Sequence, residues 1–138
     1  MGSYKHIENS IGEYIASRYT RAIEVGIGHN TTAAEILNSA GILSRATDIK
    51  TIPDSPIPVT VDDVFDPAFS LYERADVIYA IRPAIEMIPP LISLARRAGS
   101  DLIVYHLGFE TYGDGGEKID CGVMLHRYVT RSEPVKKG

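Results

Sequence analysis

The sequence of 138 residues holds a single cysteine, Cys121. One thiol makes no intramolecular disulfide and no all-cysteine zinc site. His6 and His126 have no metal-ligand spacing with any carboxylate or with Cys121, so no metal is expected. Long apolar runs are missing too. No stretch of about 18 apolar residues occurs, and the opening MGSYKHIENS has no apolar signal core. The expectation is a soluble cytoplasmic protein without a membrane partner. Positive charge is also short: 14 Lys and Arg stand against 18 Asp and Glu, a net charge of −4. That balance disfavours non-specific binding to nucleic acid. Repeats, low-complexity tracts and linker-like composition shifts are absent. What remains is 44% hydrophobic and 23% charged, the proportions of a folded chain rather than a disordered one. The length suits one domain spanning 1–138, with a flexible tail from about residue 132.

Ile7, Ile11 and Ile15 recur every fourth residue, which places them on one face of an opening helix between Tyr4 and Tyr19. Ala22 to Val25 reads as a strand. Gly26-Ile27-Gly28 follows, and Asn30-Thr31-Thr32 opens a helix that ends near Gly41. Further strands fit Leu43 to Thr47 (closing on Asp48), Val59 to Val61, Ala75 to Ile81 and Asp101 to Tyr105. Pro90 starts a helix running to about Ala98. Apolar strands alternating with helices predict a mostly parallel sheet covered on both faces, a Rossmann-like three-layer α/β/α sandwich. Too few residues separate Tyr105 from Gly122 for a helical crossover, so the strand from Gly122 to Val129 is expected antiparallel at an edge. Such an edge offers a pairing surface for a second copy.

The informative stretch is Glu24-Val25-Gly26-Ile27-Gly28-His29-Asn30, where a strand hands over to a helix. Glycines let the chain turn sharply and let a ligand approach the backbone. A helix start offers free N–H groups to a polar or anionic ligand. Asp48 stands 22 residues after Gly26, at the next strand end, where a carboxylate can accept from both hydroxyls of a ribose. Asp62 and Asp63 close the third strand. Together these point to a nucleoside-containing cofactor. The alternative is that Gly26 and Gly28 only shape a tight turn and Asp48 caps a loop. The dinucleotide fingerprint asks for a third glycine where Thr31 stands, and a leading helix is unusual for it.

These residues resemble the first motif of the class I S-adenosylmethionine-dependent methyltransferase superfamily, an acid followed by Gly-x-Gly-x-Gly. Glu24, Gly26 and Gly28 match, and Asn30 replaces the last glycine, a residue type that tolerates unusual backbone angles. The resemblance implies that Asp48 holds the ribose hydroxyls of S-adenosylmethionine and Asp63 the adenine amino group. Asp62 is set aside because neighbours on a strand point opposite ways. A closer resemblance, to a small archaeal family of methyltransferase-like proteins without an assigned activity, covers most of the chain. It rests on Val25 to Gly28, Thr47 to Ile49, Val61 to Phe65 and, above all, Tyr72 to Pro83 with Glu86-Met87. Ala84 and Ile85 stand where that family tends to carry more prolines.

The resemblance implies binding of S-adenosylmethionine or S-adenosylhomocysteine and methyl transfer to an unidentified small acceptor. Acceptor-facing residues in the superfamily often follow the fourth strand, which here gives Arg82 and Glu86. Arg82 either clamps an anionic group or orders its loop by pairing with Glu86 or Asp76. His106, just past the fifth strand, is a candidate base or simply a hydrogen-bonded residue. The Asn/Asp-Pro-Pro-aromatic signature of amino-methylating enzymes is absent, since Arg82-Pro83 stands there. The rival reading is a non-catalytic ligand-binding or interaction module that keeps the fold.

Overall fold

The structure, a computed structural model, describes residues 3–131. The tail expected from about residue 132 lies outside them. Three helices, α1 (Ser3–Arg18), α2 (Thr32–Ser39) and α3 (Ile88–Ala98), flank seven strands. The strands are β1 (Ala22–Val25), β2 (Leu43–Asp48), β3 (Val59–Val61), β4 (Val77–Ile81), β5 (Asp101–Tyr105), β6 (Glu117–Asp120) and β7 (Met124–Val129). They form one sheet in the order β3-β2-β1-β4-β5-β7-β6. Strands β1 to β5 run parallel and β7 lies antiparallel to both β5 and β6. The architecture is a Rossmann-like three-layer sandwich, and its first five strands follow the doubly wound order.

Alternation along the strands sorts the core into two faces. Ala22, Val77, Tyr79 and Ile103 pack under α1 and α2 against Ile11, Ile15 and Leu37. Ile23, Ile78, Leu102 and Val104 turn the other way, onto Leu91 and Leu94 of α3. Ile11 and Ile15 are fully buried, and each contributes roughly 1.5–3 kcal/mol by leaving water. The four-residue spacing of the isoleucines therefore does what it predicts. Helix α1 also lies very close to α2. A Cβ added at Gly12 would meet Ile36 Cδ1 at 3.1 Å and Ala33 Cα at 3.3 Å.

Helix α3 carries Pro89 and Pro90 in its first turn, where no intrahelical N–H partner is needed. It ends on Gly99, whose φ of 68° closes the last turn. On that face, single 3-10 turns (Phe69–Leu71 and Ile85–Met87) take the place of further helices.

The strand ending at Val129 is antiparallel as expected. Its position differs from the expectation: β6 occupies the edge and β7 lies inside the sheet. Glu117-Lys118-Ile119-Asp120 is largely exposed and lacks the apolar alternation that marks a strand. The pairing edge that the sequence placed after Gly122 therefore belongs to β6. Among the described residues no helix is long and apolar enough to cross a membrane.

Candidate functional site

The carboxyl ends of β1, β2 and β3 meet around a cavity of about 220 Å³. Gly26 and Val25 line it from β1, and Asp48 and Ile49 from the end of β2. Asp62 to Phe65 close the third side, and Met87 arrives from the 3-10 turn after β4. Gly26 has a φ of 72°, which favours glycine. A Cβ there would lie 3.7 Å from Met87 Cε.

The turn is tied to the acid beside it. Gly28 N–H donates to Asp48 Oδ2 at 2.9 Å, and Lys50 N–H to Asp48 Oδ1 at 2.9 Å. Gly26 and Ile27 both donate to Thr47 O, at 2.8 and 3.1 Å. Asp48 thus faces the cavity with its orientation fixed by two backbone amides. Each carboxylate oxygen has a further lone pair for a ligand hydroxyl.

Asp62 and Asp63 both line the cavity. Strand β3 ends at Val61, so strand alternation no longer governs the next two residues. They divide the work differently. Asp62 Oδ2 accepts from the buried Tyr72 hydroxyl at 2.6 Å, and Oδ1 from Ala68 N–H at 3.0 Å. It anchors the loop over residues 62–72. Burial and the Asp62 hydroxyl contact push Tyr72 well above the usual tyrosine range. Asp63 uses one oxygen to hold Phe65 N–H at 2.9 Å. Ile49 and Phe65 are about 60% exposed, at 62% and 60%, beside these acids. Isolated apolar side chains on a surface are ordinary, but these two both line the same hollow.

The other expected site residues lie elsewhere. Glu24 is buried on the α1 face, where it accepts from the Tyr79 hydroxyl at 2.7 Å. Burial, with Glu8 nearby, pushes its carboxyl up to about 8. Asn30 is exposed, and its Oδ1 accepts from Thr32 N–H at 3.3 Å at the start of α2. Its backbone takes no unusual angle: Arg82, with φ 55°, is the one non-glycine residue with positive φ among those described. Thr31 marks the helix start with its hydroxyl bonded to Glu35 Oε2 at 2.7 Å.

Arg82 meets an acid that the sequence did not suggest. Its Nη1 lies 3.1 Å from Oε1 of the buried Glu8 on α1, and its guanidinium sits over the Tyr105 ring at 5.2 Å. Asp76 instead holds Thr20 and Arg21 through their backbone amides. Glu86 is exposed on the 3-10 turn. His106 is buried beyond β5, with Nε2 2.6 Å from the Tyr128 hydroxyl. Burial and the neighbouring His126 hold its pKa below the usual histidine value. None of these three lines the cavity of Gly26 and Asp48. Among the described residues no group of three or more His, Cys, Asp or Glu side chains is placed to hold a metal ion.

Sequence reasoning missed Glu8 and Tyr79 as partners of Arg82 and Glu24. It also missed Ile49, Phe65 and Met87 as walls, although all three stand inside the stretches that carry the resemblance. Ile49 alone carried a signal, an apolar residue directly after a strand-end acid, whereas Phe65 stands two residues after Asp63 and Met87 on a 3-10 turn.

Two solved structures are similar to this chain, and the first of them shares the fold. Streptomyces venezuelae DesVI has a TM-score of 0.52 at 13% identity, covering 84% of this chain and 57% of that one. The sugar N-methyltransferase KedS8 of Streptoalloteichus sp ATCC 53650 has a TM-score of 0.48 at 11% identity, covering 80% and 55%. This chain spans little more than half the length of either. Sequence likeness is much stronger to a UPF0146 protein of Archaeoglobus fulgidus, 36% identical over 107 residues, which are 75% of this chain and 78% of that protein. The model of the uncharacterised protein family UPF0146 matches residues 8–119, and this chain belongs to that family.

Proposed function

We propose that the cavity between the Gly26 turn, Asp48 and Asp63 binds the adenosyl part of S-adenosylmethionine or S-adenosylhomocysteine. The observation that carries this reading is the single hollow that brings a side-chain-free turn, a backbone-anchored acid, a second acid and two exposed apolar residues together. Gly26 lets a ligand approach the main chain. Asp48 accepts from the ribose hydroxyls, Asp63 accepts from an exocyclic amine, and Ile49 and Phe65 flank the base. Whole ligand sites typically run to roughly 300–1,000 Å³. A hollow of about 220 Å³ therefore takes the nucleoside portion and leaves the remainder along the rim.

S-adenosylmethionine supplies an activated methyl group, and the protein supplies position. Binding without transfer is a second reading, favoured by one observation: Arg82, Glu86 and His106 all lie outside the cavity.

A thermal-shift titration with S-adenosylmethionine, S-adenosylhomocysteine, NAD and ATP tests the binding. At 100 times its dissociation constant a ligand adds about 2.7 kcal/mol of stability. A shift with the first two alone supports the proposal, and a shift with NAD alone overturns it. Asp48→Ala is expected to weaken binding at least about tenfold, the worth of a charge-assisted hydrogen-bond pair. Calorimetry giving unchanged affinity in the folded variant overturns the ribose role. Labelled-methyl transfer to candidate acceptors separates the two readings.

A further inference from the structure

On the same rim, beyond the end of β4, lies a second and larger cavity of about 540 Å³. Its volume falls within the range of small-molecule sites. It shares no lining residue with the hollow at Gly26. β1 and β5 are two strand spacings apart, roughly 10 Å, so the two sites are neighbours rather than one. The walls are apolar: Ile7 from α1, Val123 and Met124 at β7, Phe109 from the loop after β5, and the ring of Tyr105. Phe109 is fully exposed and Met124 is partly so.

Two histidines reach this cavity from the core. His126, 7% exposed, presents Nδ1 to Gly115 O at 2.7 Å. A carbonyl only accepts, so Nδ1 carries the proton and Nε2 of the neutral ring holds a lone pair. That Nε2 has no protein partner and is not sealed from solvent. Solvent reaches that acceptor, so a ligand hydroxyl can take the place of water there. The Nε2 of His106 is engaged by the Tyr128 hydroxyl, which also accepts from Tyr112 N–H at 3.0 Å. The rings of His106 and His126 meet edge to face at 4.9 Å. At the mouth stand one Lys118 and one Glu110, so the rim selects no net charge.

We propose that this cavity binds an uncharged aromatic alcohol of the phenol class, whose hydroxyl donates to His126 Nε2 while its ring lies against Phe109, Met124 and Ile7. This inference is independent of the nucleoside reading, since the two sites share no residue.

The test uses p-cresol and 4-methylanisole, which differ in whether the oxygen carries a proton, titrated into the full chain with histidine ring nitrogens followed by NMR. p-Cresol is expected to bind about tenfold tighter and to move the His126 Nε2 signal. Phe109→Ala, at an exposed position that carries no part of the core, is expected to weaken p-cresol several-fold. His126→Phe is expected to abolish the preference between the two probes. Equal affinity for both, no binding at millimolar concentration, unchanged affinity in Phe109→Ala, or a His126 Nε2 signal left unmoved by p-cresol would each overturn the proposal.

Discussion

The two halves of the sheet carry their polar groups in opposite ways. Around β1, β2 and β3, the acids lining the hollow are oriented by backbone amides of the strand-end turns: Asp48 by Gly28 and Lys50, Asp63 by Phe65. Around β5 and β7, the polar groups are imidazole rings held by one hydrogen bond each, His106 by the Tyr128 hydroxyl and His126 by the Gly115 carbonyl. The first half is a frame of local turns, so its acceptors keep their aim with little packing around them. The second half depends on the loop over residues 107–116 folding back correctly on β7.

Three substitutions test that contrast, from the largest effect to the smallest. Gly116 is where the loop presses on β7. An added Cβ would lie 2.6 Å from Arg127 O, and φ is 65°. Gly116→Ala should cost about 3 kcal/mol, from backbone strain plus overpacking, read as a drop in the urea midpoint. A loss under about 1 kcal/mol would break the picture of a loop fixed by close approach.

Glu24→Gln asks whether the strand under the glycine turn titrates with the site or with the core. The Glu24 carboxyl is raised from 4.5 to about 8 in the folded protein. Between those values the folded state keeps a proton that the unfolded state releases, so wild-type stability falls as pH rises. The penalty reaches its limit above about pH 8. The Gln variant lacks this slope, so its stability relative to wild type should grow from pH 5 to pH 8. Parallel curves for the two proteins would show that Glu24 stays ionised.

Gly28→Ala should be mildest. Its φ is 57°, but a Cβ meets nothing within 4 Å. About 1 kcal/mol of strain is expected, with nucleoside binding retained if the Gly28 N–H still holds Asp48. A loss as large as that of Gly116→Ala would erase the distinction between the halves.

The same contrast explains what could be read from the sequence. The isoleucines of α1, the apolar strands and the turn from Gly26 to Asp48 announce themselves because period, glycine and strand-end acid are local signals. β6 did not, because Glu117 to Asp120 is exposed and is a strand only through its pairing with β7. The Arg82 partner did not, because Glu8 lies 74 residues away and meets it only once α1 has docked. Glu24 matched a motif, yet its side chain follows strand alternation onto the α1 face, toward Tyr79 rather than the cavity. The histidine cavity needs residues 7, 106, 115 and 126 at once, and no spacing rule joins them.

Helix α1 ends up touching more than the core. Gly12 keys it against α2 with no room for a side chain, Glu8 one turn away grips Arg82 at the end of β4, and Ile7 forms a wall beside His126. The opening helix therefore behaves as a strut clamped at one point and bearing on the rim at two others. A small tilt of that strut would be felt at the tip of β4 and in the neighbouring chamber together, so the geometry of the rim is set in part from outside the sheet.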